Sequence, residues 1–404
     1  GLPYRQNLNN SIQSLEYEFI KAIKSLTAEK IDKIAFIQGH NELDFYQTMD
    51  IGKELSLFFD VRWTEINGNL DTLSKYKAII IAQPLESFPE KDRFVLDQYI
   101  MRGGRSLFFL DPVQTNADSL VSGRTFTFFQ DLNLYELLFK YGIRVQYNLI
   151  KDLQCNVIRV ETSIQGQEPR TVTLPWWYYP LLTAPNDHFL TKGLNYIKTE
   201  FVSAIDTTAV PPNGVERKVL LSSSDSSALI QNPIYISMDE ITRPPERRLY
   251  TNSDLPVAIL MEGKFPSFYS NYGIPDGVVP ENMEIKEISE PAMIFVAGDG
   301  DMIRNEVRIS SGKPVPLKLG YDPDTRQTFG NKEFIMNVIN YMTDDYSLIE
   351  MRAREFKLRL LDNTKIRLKT QKTKWQLINV FIPVILALSG GLIFNYRRKK
   401  NYGK

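Results

Sequence analysis

Cysteine, histidine and net charge are what this chain has least of. The one cysteine, Cys155, excludes an internal disulfide and a thiolate metal site, and leaves the redox compartment unread. Lys plus Arg number 48 and Asp plus Glu number 48, so the balance does not point to nucleic acid or another polyanion. No Gly-x-x-x-x-Gly-Lys-Ser/Thr loop is present, and no Gly-x-Gly-x-x-Gly follows a strand, so the usual means of hydrolysing ATP or holding a dinucleotide are missing. There are two histidines, His40 and His188, and no Gly-x-Ser-x-Gly elbow. Cys155 stands between Gln154 and Asn156, without the glycines that a strained nucleophile turn needs.

What is present is a long apolar run at the far end. From Trp375 to Tyr396 no residue is charged, and Arg397-Arg398-Lys399-Lys400 follows at once. As a helix these 22 residues extend roughly 33 Å, enough for a hydrocarbon core of about 30 Å. Trp375 and Tyr396 would sit at the two interfaces. Pro383 and Gly390-Gly391 weaken the helix, and a buried helix of a soluble domain is the competing reading. The basic tail argues for a cytoplasmic C-terminus with the body on the other side. Lys365, Arg367, Lys369, Lys372 and Lys374 on the opposite flank argue against it, but long domains translocate largely regardless of charge. The chain opens on Gly1 rather than Met, from which we expect a membrane span upstream.

With 43% hydrophobic and 24% charged residues, the chain has material for one large or two ordinary domains. The pattern 11–26 reads as an amphipathic helix. Strands and helices then alternate: apolar strands at 34–37, 78–82 and 106–110, an alternating strand at 61–66, and helices at 45–59 and 89–101. Gly103-Gly104 provides a left-handed stop for the second of these helices. A helix at 135–141 and a strand at 143–147 follow. Continuous apolar strands between amphipathic helices predict an α/β fold with a mostly parallel sheet covered on both faces.

After about 152 the rhythm becomes β-rich, with strands at 157–160, 170–174, 218–222 and 256–262. Between them lies an aromatic knot, Pro175-Trp176-Trp177-Tyr178-Tyr179-Pro180. The stretches 222–248 and 264–290 read as loops, 292–297 as another buried strand, and 329–342 as a helix. A charged helical segment follows, with Ile349, Ala353, Phe356 and Leu360 along one face. That face either closes the body or docks on a partner.

Candidate sites follow from strand ends, because open α/β sheets bind ligands beyond them. Gly39-His40-Asn41-Glu42 offers a general base or an anion-binding helix start. Gly298-Asp299-Gly300-Asp301 offers two carboxylates for a ligand, a partner or a hard cation, although the twelve-residue calcium pattern is absent. The plainer reading of the second is a structural turn with Arg304 paired to one aspartate. Trp176, Trp177, Tyr178 and Tyr179 either pack a junction or form a partner surface.

Three stretches carry a resemblance: 10–26 (NSIQSLEYEFIKAIKSL) before a strand ending Gln38-Gly39-His40-Asn41-Glu42; the IIIAQP and LFFLDP strands within 78–111; and 348–362 (LIEMRAREFKLRLLD) before the apolar run. In this order they resemble the GldG family, auxiliary components of gliding-motility ABC transporters. The resemblance implies an ABC-transporter-auxiliary domain, related to class I glutamine amidotransferase, flavodoxin-like and intraflagellar-transport GIFT domains. Gln83-Pro84, Asp111-Pro112 and Gln38-Gly39 stand where those amidotransferases carry their nucleophile, so no catalysis and no cofactor or metal is expected.

The implied partners are a membrane permease and, through it, a cytoplasmic ATPase. The implied location is a bacterial inner membrane with the body in the periplasm. The expected organisation is an N-terminal helix (1–30), a GIFT-like domain (31–150), a second α/β region with β-rich insertions (151–345), a juxtamembrane helix (346–374), a membrane helix (375–396) and a basic tail (397–404). The competing expectation is a solute-binding or vestigially enzymatic domain that uses 39–42 and 298–301 as a pocket.

Overall fold

Apolar runs of five or six residues set the centre of the molecule. A computed structural model describes residues 19, 23, 32–115, 119–120, 123–162, 170–184, 190–279, 284–343 and 369–403. They fall in two compact units, one within 11–354 and the other including 355–404.

The first unit is built on seven strands. We number the elements β1 (Lys33–Gln38), α1 (Met49–Leu55), β2 (Asp60–Glu65), α2 (Leu70–Ser74), β3 (Ala78–Ala82), α3 (Glu90–Met101), β4 (Arg105–Phe109), α4 (Tyr135–Lys140), β5 (Asn148–Asp152), β6 (Cys155–Thr162), β7 (Arg170–Leu182), β8 (Glu216–Ser222), β9 (Ser227–Gln231), β10 (Pro256–Gly263), β11 (Ala292–Ala297) and α5 (Asn331–Met342). The sheet order is β8-β10-β11-β4-β3-β1-β2. Pairings from β2 through to β11 are parallel, whereas β10 runs antiparallel to both β11 and β8. The sheet is therefore mixed, with an antiparallel edge that the sequence pattern did not announce. One sheet also takes strands from both sides of residue 150, so the boundary expected there does not divide the core.

Alternation along each strand sends side chains to two apolar layers. Ile34, Phe36, Ile80, Phe109 and Phe295 pack with α1 and α5 on one face. Ala35, Ile37, Ile81, Phe108 and Val296 pack with α2, α3 and α4 on the other. Such double coverage is why β3 is apolar throughout and wholly buried. Helix α3 stops where Gly103 takes φ +84°, the left-handed cap the Gly-Gly pair predicts.

Two expected elements differ. The helix expected over 45–59 shrinks to α1, because Asp44 and Gln47 bond each other's backbone N–H (2.9 and 2.8 Å) and hold a turn ahead of it. The expected loop 222–248 contains β9, paired antiparallel with β5, and a short strand Tyr235–Ser237. Asp152 holds this Ser-rich segment by accepting from Ser224 N (2.8 Å) and Ser224 Oγ (2.6 Å).

In the second unit, Lys369–Tyr402 is one helix, α6, with Pro383 inside it. It contains a stretch long and apolar enough to cross a membrane. Phe19 and Ile23 are helical and exposed. The remainder of the expected helix at 11–26, and residues 346–368 of the expected juxtamembrane helix, with Phe356 and Leu360, lie outside the described residues, while 369–374 open α6.

Candidate functional site

The five parallel strands run in the order β2-β1-β3-β4-β11, and the chain reverses direction across the sheet between β1 and β3. In a doubly wound sheet with this order, that reversal opens a crevice at the strands' carboxyl ends where ligands bind. Here the crevice is filled by the chain itself. Leu85 and Glu86 donate their backbone N–H groups to the carbonyl of His40 (3.1 and 3.0 Å), and Leu43 N donates to Ala82 O (3.0 Å).

His40 lies under this bridge, 2% exposed. Its ring stacks on Phe88 with centroids 3.6 Å apart. Nδ1 meets Glu42 Oε1 at 2.9 Å and Nε2 meets Asp92 Oδ2 at 3.1 Å. Burial alone would lower the pKa of His40, but the two carboxylates outweigh it and hold it at about 9. At neutral pH the ring is therefore a cation locked between two anions, with no free nitrogen. Glu42 also accepts the His40 N–H (2.7 Å) and Asp92 accepts that of Gly68, so each carboxylate has further work within the fold. Asn41 is exposed in a left-handed conformation, φ 56°, which asparagine tolerates, and Gly39 at φ +113° turns the chain out of β1.

The second turn is also satisfied internally. Gly298 and Gly300 are required by close approach, since a Cβ at Gly298 would sit 2.3 Å from Ser203 O and one at Gly300 2.5 Å from Gln83 Cγ. Asp111 accepts from Gly300 N (2.6 Å) and Gln83 Nε2 (2.6 Å), and Gln83 Nε2 also reaches Asp301 Oδ1 at 3.1 Å. Asp299 accepts from Asp301 N (2.8 Å) and Glu200 N (3.1 Å). Arg304 pairs with Asp301 at 2.8 Å and with Glu200 at 3.5 Å, while Lys198 meets Glu200 at 3.0 Å.

Burial raises the Asp301 carboxyl to about 7, against the pull of Arg304. Burial, reinforced by Asp301 and Asp111, pushes Asp299 well above the carboxylate range. The cavity against this cluster measures only about 10 Å³, near the minimum for a single water. Its lining includes Asp301 and Arg304 and none of residues 39–42. Among the described residues no group of His, Cys, Asp and Glu is arranged to hold a metal ion.

The four aromatic rings lie in β7, which continues through both prolines, but its register with β6 jumps from Pro175↔Val157 to Pro180↔Cys155, so residues 176–179 fall in the irregular step. Trp176, Trp177, Tyr178 and Tyr179 are all buried, and three of them pack with Phe201 and Ile236 in a third apolar cluster. None is more than 9% exposed, which fits the packing reading, although Tyr179 also lines a groove beside β6. Cys155 begins β6 opposite Pro180, and burial lifts its thiol to about 11, which keeps it protonated at neutral pH.

Sequence reasoning brought Arg304 to the 298–301 turn and placed Gln83 and Asp111 at strand ends. It did not find Lys198, nor Asp92 and Glu200, whose partners His40 and Arg304 lie 52 and 104 positions away along the chain.

A sheet of this kind and, among the described residues, one helix long and apolar enough to cross a membrane are consistent with a membrane-anchored α/β protein. The family described as an ABC-type uncharacterized transport system, auxiliary component, matches residues 32–338, and the chain belongs to it. Comparison with curated proteins gives no match. A solved structure, the mmIFT52 N-terminal domain, is 13% identical; the match covers 77% of this chain and 97% of that one, at a TM-score of 0.43, too low to carry an argument about this chain.

Proposed function

We propose that the protein is a non-catalytic, membrane-anchored subunit of an ABC transport complex of the gliding-motility type. Its body, of the amidotransferase-like and GIFT-like kind, stands on the periplasmic side of the inner membrane. It holds the permease and, through the permease, a cytoplasmic ATPase. The observation that carries this reading is the filled switch point. Where related sheet orders open a ligand crevice, this chain places its own backbone and a His40 cation already paired with Glu42 and Asp92. His40 has no lone pair to act as a base at neutral pH, and the Cys155 thiol is neither ionised nor on a turn. With 39–42 and 298–301 each satisfied separately, the solute-pocket alternative loses its shared cleft. Family membership supports the transport setting, and α6 supports the anchor.

Orientation is tested with a single reporter cysteine. Val210 is 87% exposed on the body. In a Cys155→Ser background, Val210→Cys is expected to react with a membrane-impermeant maleimide while the inner membrane is intact. Reaction only after that membrane is opened reverses the topology.

A further inference from the structure

Strand β6 is an outer strand: it pairs with β7 on one side and closes a three-stranded sheet. Among the described residues, positions 156–160 have no backbone hydrogen bond on the other side. In an antiparallel ladder alternate residues turn their N–H and C=O away from the partner strand. Over these positions about two or three residues thus offer a donor and an acceptor outward, the pattern that recruits another strand.

This edge does not face open water. Residues 156–160 form one wall of a groove of about 770 Å³. Lys198, Glu200, Glu306 and the Asp322-Pro323-Asp324 turn line the same groove. That turn is fixed in place, because Asn156 Nδ2 donates to Asp322, Arg159 pairs with Asp324, and Asp322 Oδ1 accepts from Asp324 N (2.8 Å). The lining therefore stands ready without rearrangement, which spares a ligand part of the usual ordering cost.

Charge decides what enters. The lining carries four carboxylates (Glu200, Glu306, Asp322 and Asp324) and two cations, Lys198 and Arg159. Arg159 pairs with Asp324, Lys198 lies 3.0 Å from Glu200 and 4.0 Å from Glu306, and Arg304 reaches Glu200 from outside the lining. The acidic excess therefore rests on Glu306 and Asp322. A small solute would leave most of the strand edge unpaired. An extended chain pairs with it over about 17 Å at roughly 3.3 Å per residue, and its alternate side chains reach the acidic lining.

We propose that this groove captures an extended, basic segment of a partner protein as an added strand beside β6. The inference deepens the partner-binding reading and rests on it only in taking the occupant to be a protein. The acidic lining gives the segment its lysine or arginine preference, and the backbone ladder gives affinity that tolerates sequence change.

The test uses the detergent-solubilised full chain as bait for a library of random dodecapeptides. Enriched peptides are expected to be rich in Lys, Arg and β-branched residues, and to slow hydrogen exchange at the 156–160 amides at least tenfold. Glu306→Lys, at a side chain 42% exposed, is expected to weaken their binding at least tenfold with an unchanged melting temperature. Failure to enrich any peptide, enrichment of acidic ones, or binding that leaves those amides unprotected would overturn the proposal. Co-purification with a permease would survive each of those outcomes, so the two readings fail separately.

Discussion

Arg304→Met is expected to destabilise the body by up to about 3 kcal/mol, the low end of the cost of breaking a buried charge pair, because the side chain keeps 30% exposure to screening solvent. Arg304 balances Asp301 and Glu200 directly, and Asp111 and Asp299 lie in the same cluster. Without the guanidinium these carboxyls must take up protons or share uncompensated charge, so the loss is expected to be larger at pH 8 than at pH 5. Even in the native chain, Asp301 has a folded pKa of about 7, above its ordinary 3.8. The folded state then binds the extra proton between these values, and this group's contribution falls as pH rises from about 4 to about 7. Thermal melting of both chains across that range checks the result, and equal melting temperatures would show that the cluster is not stressed as described.

His40→Ala is expected to cost more, about 3–5 kcal/mol, because it leaves Glu42 and Asp92 buried without their cation. It also removes the ring stacked on Phe88. The sign of the pH effect follows from the raised pKa. His40 contributes fully below about 6.5 and loses that contribution as pH rises through about 9. The native chain should therefore lose stability over this window, and the variant should lack that component. A variant as stable as the native chain at pH 6, or one with the same pH slope, contradicts the role assigned to the ring.

The central strands were readable because a parallel strand buried on both faces needs an unbroken apolar run, and 34–37, 78–82, 106–110 and 292–297 are such runs. The turns after 34–37 and 292–297 were readable from glycine next to polar residues, and the ends of 78–82 and 106–110 from Gln83-Pro84 and Asp111-Pro112. What fills those turns was not, since Asp92 reaches His40 from a helix 52 positions on. Helix α3 also hides Asp97, which Tyr141, Ser267 and the Phe268 N–H satisfy from later segments. No local pattern marks such residues as buried. β9 was missed for a related reason: its sequence, SALIQ, is half polar, and it is a strand only because β5 lies beside it. The aromatic knot left packing and partner contact both open, because its sequence does not show that β7 carries all four rings into a buried, irregular step of its pairing with β6.

The central claim is that this chain serves as a tethered partner within a transport complex. The most direct measurement is gentle solubilisation of native membranes, affinity isolation of the full chain, and identification of the proteins that come with it in fixed proportion. The account predicts a multi-span permease together with its ATPase, both retained in Cys155→Ser. Isolation of the chain alone, with neither subunit bound under conditions that preserve other membrane complexes, would contradict it.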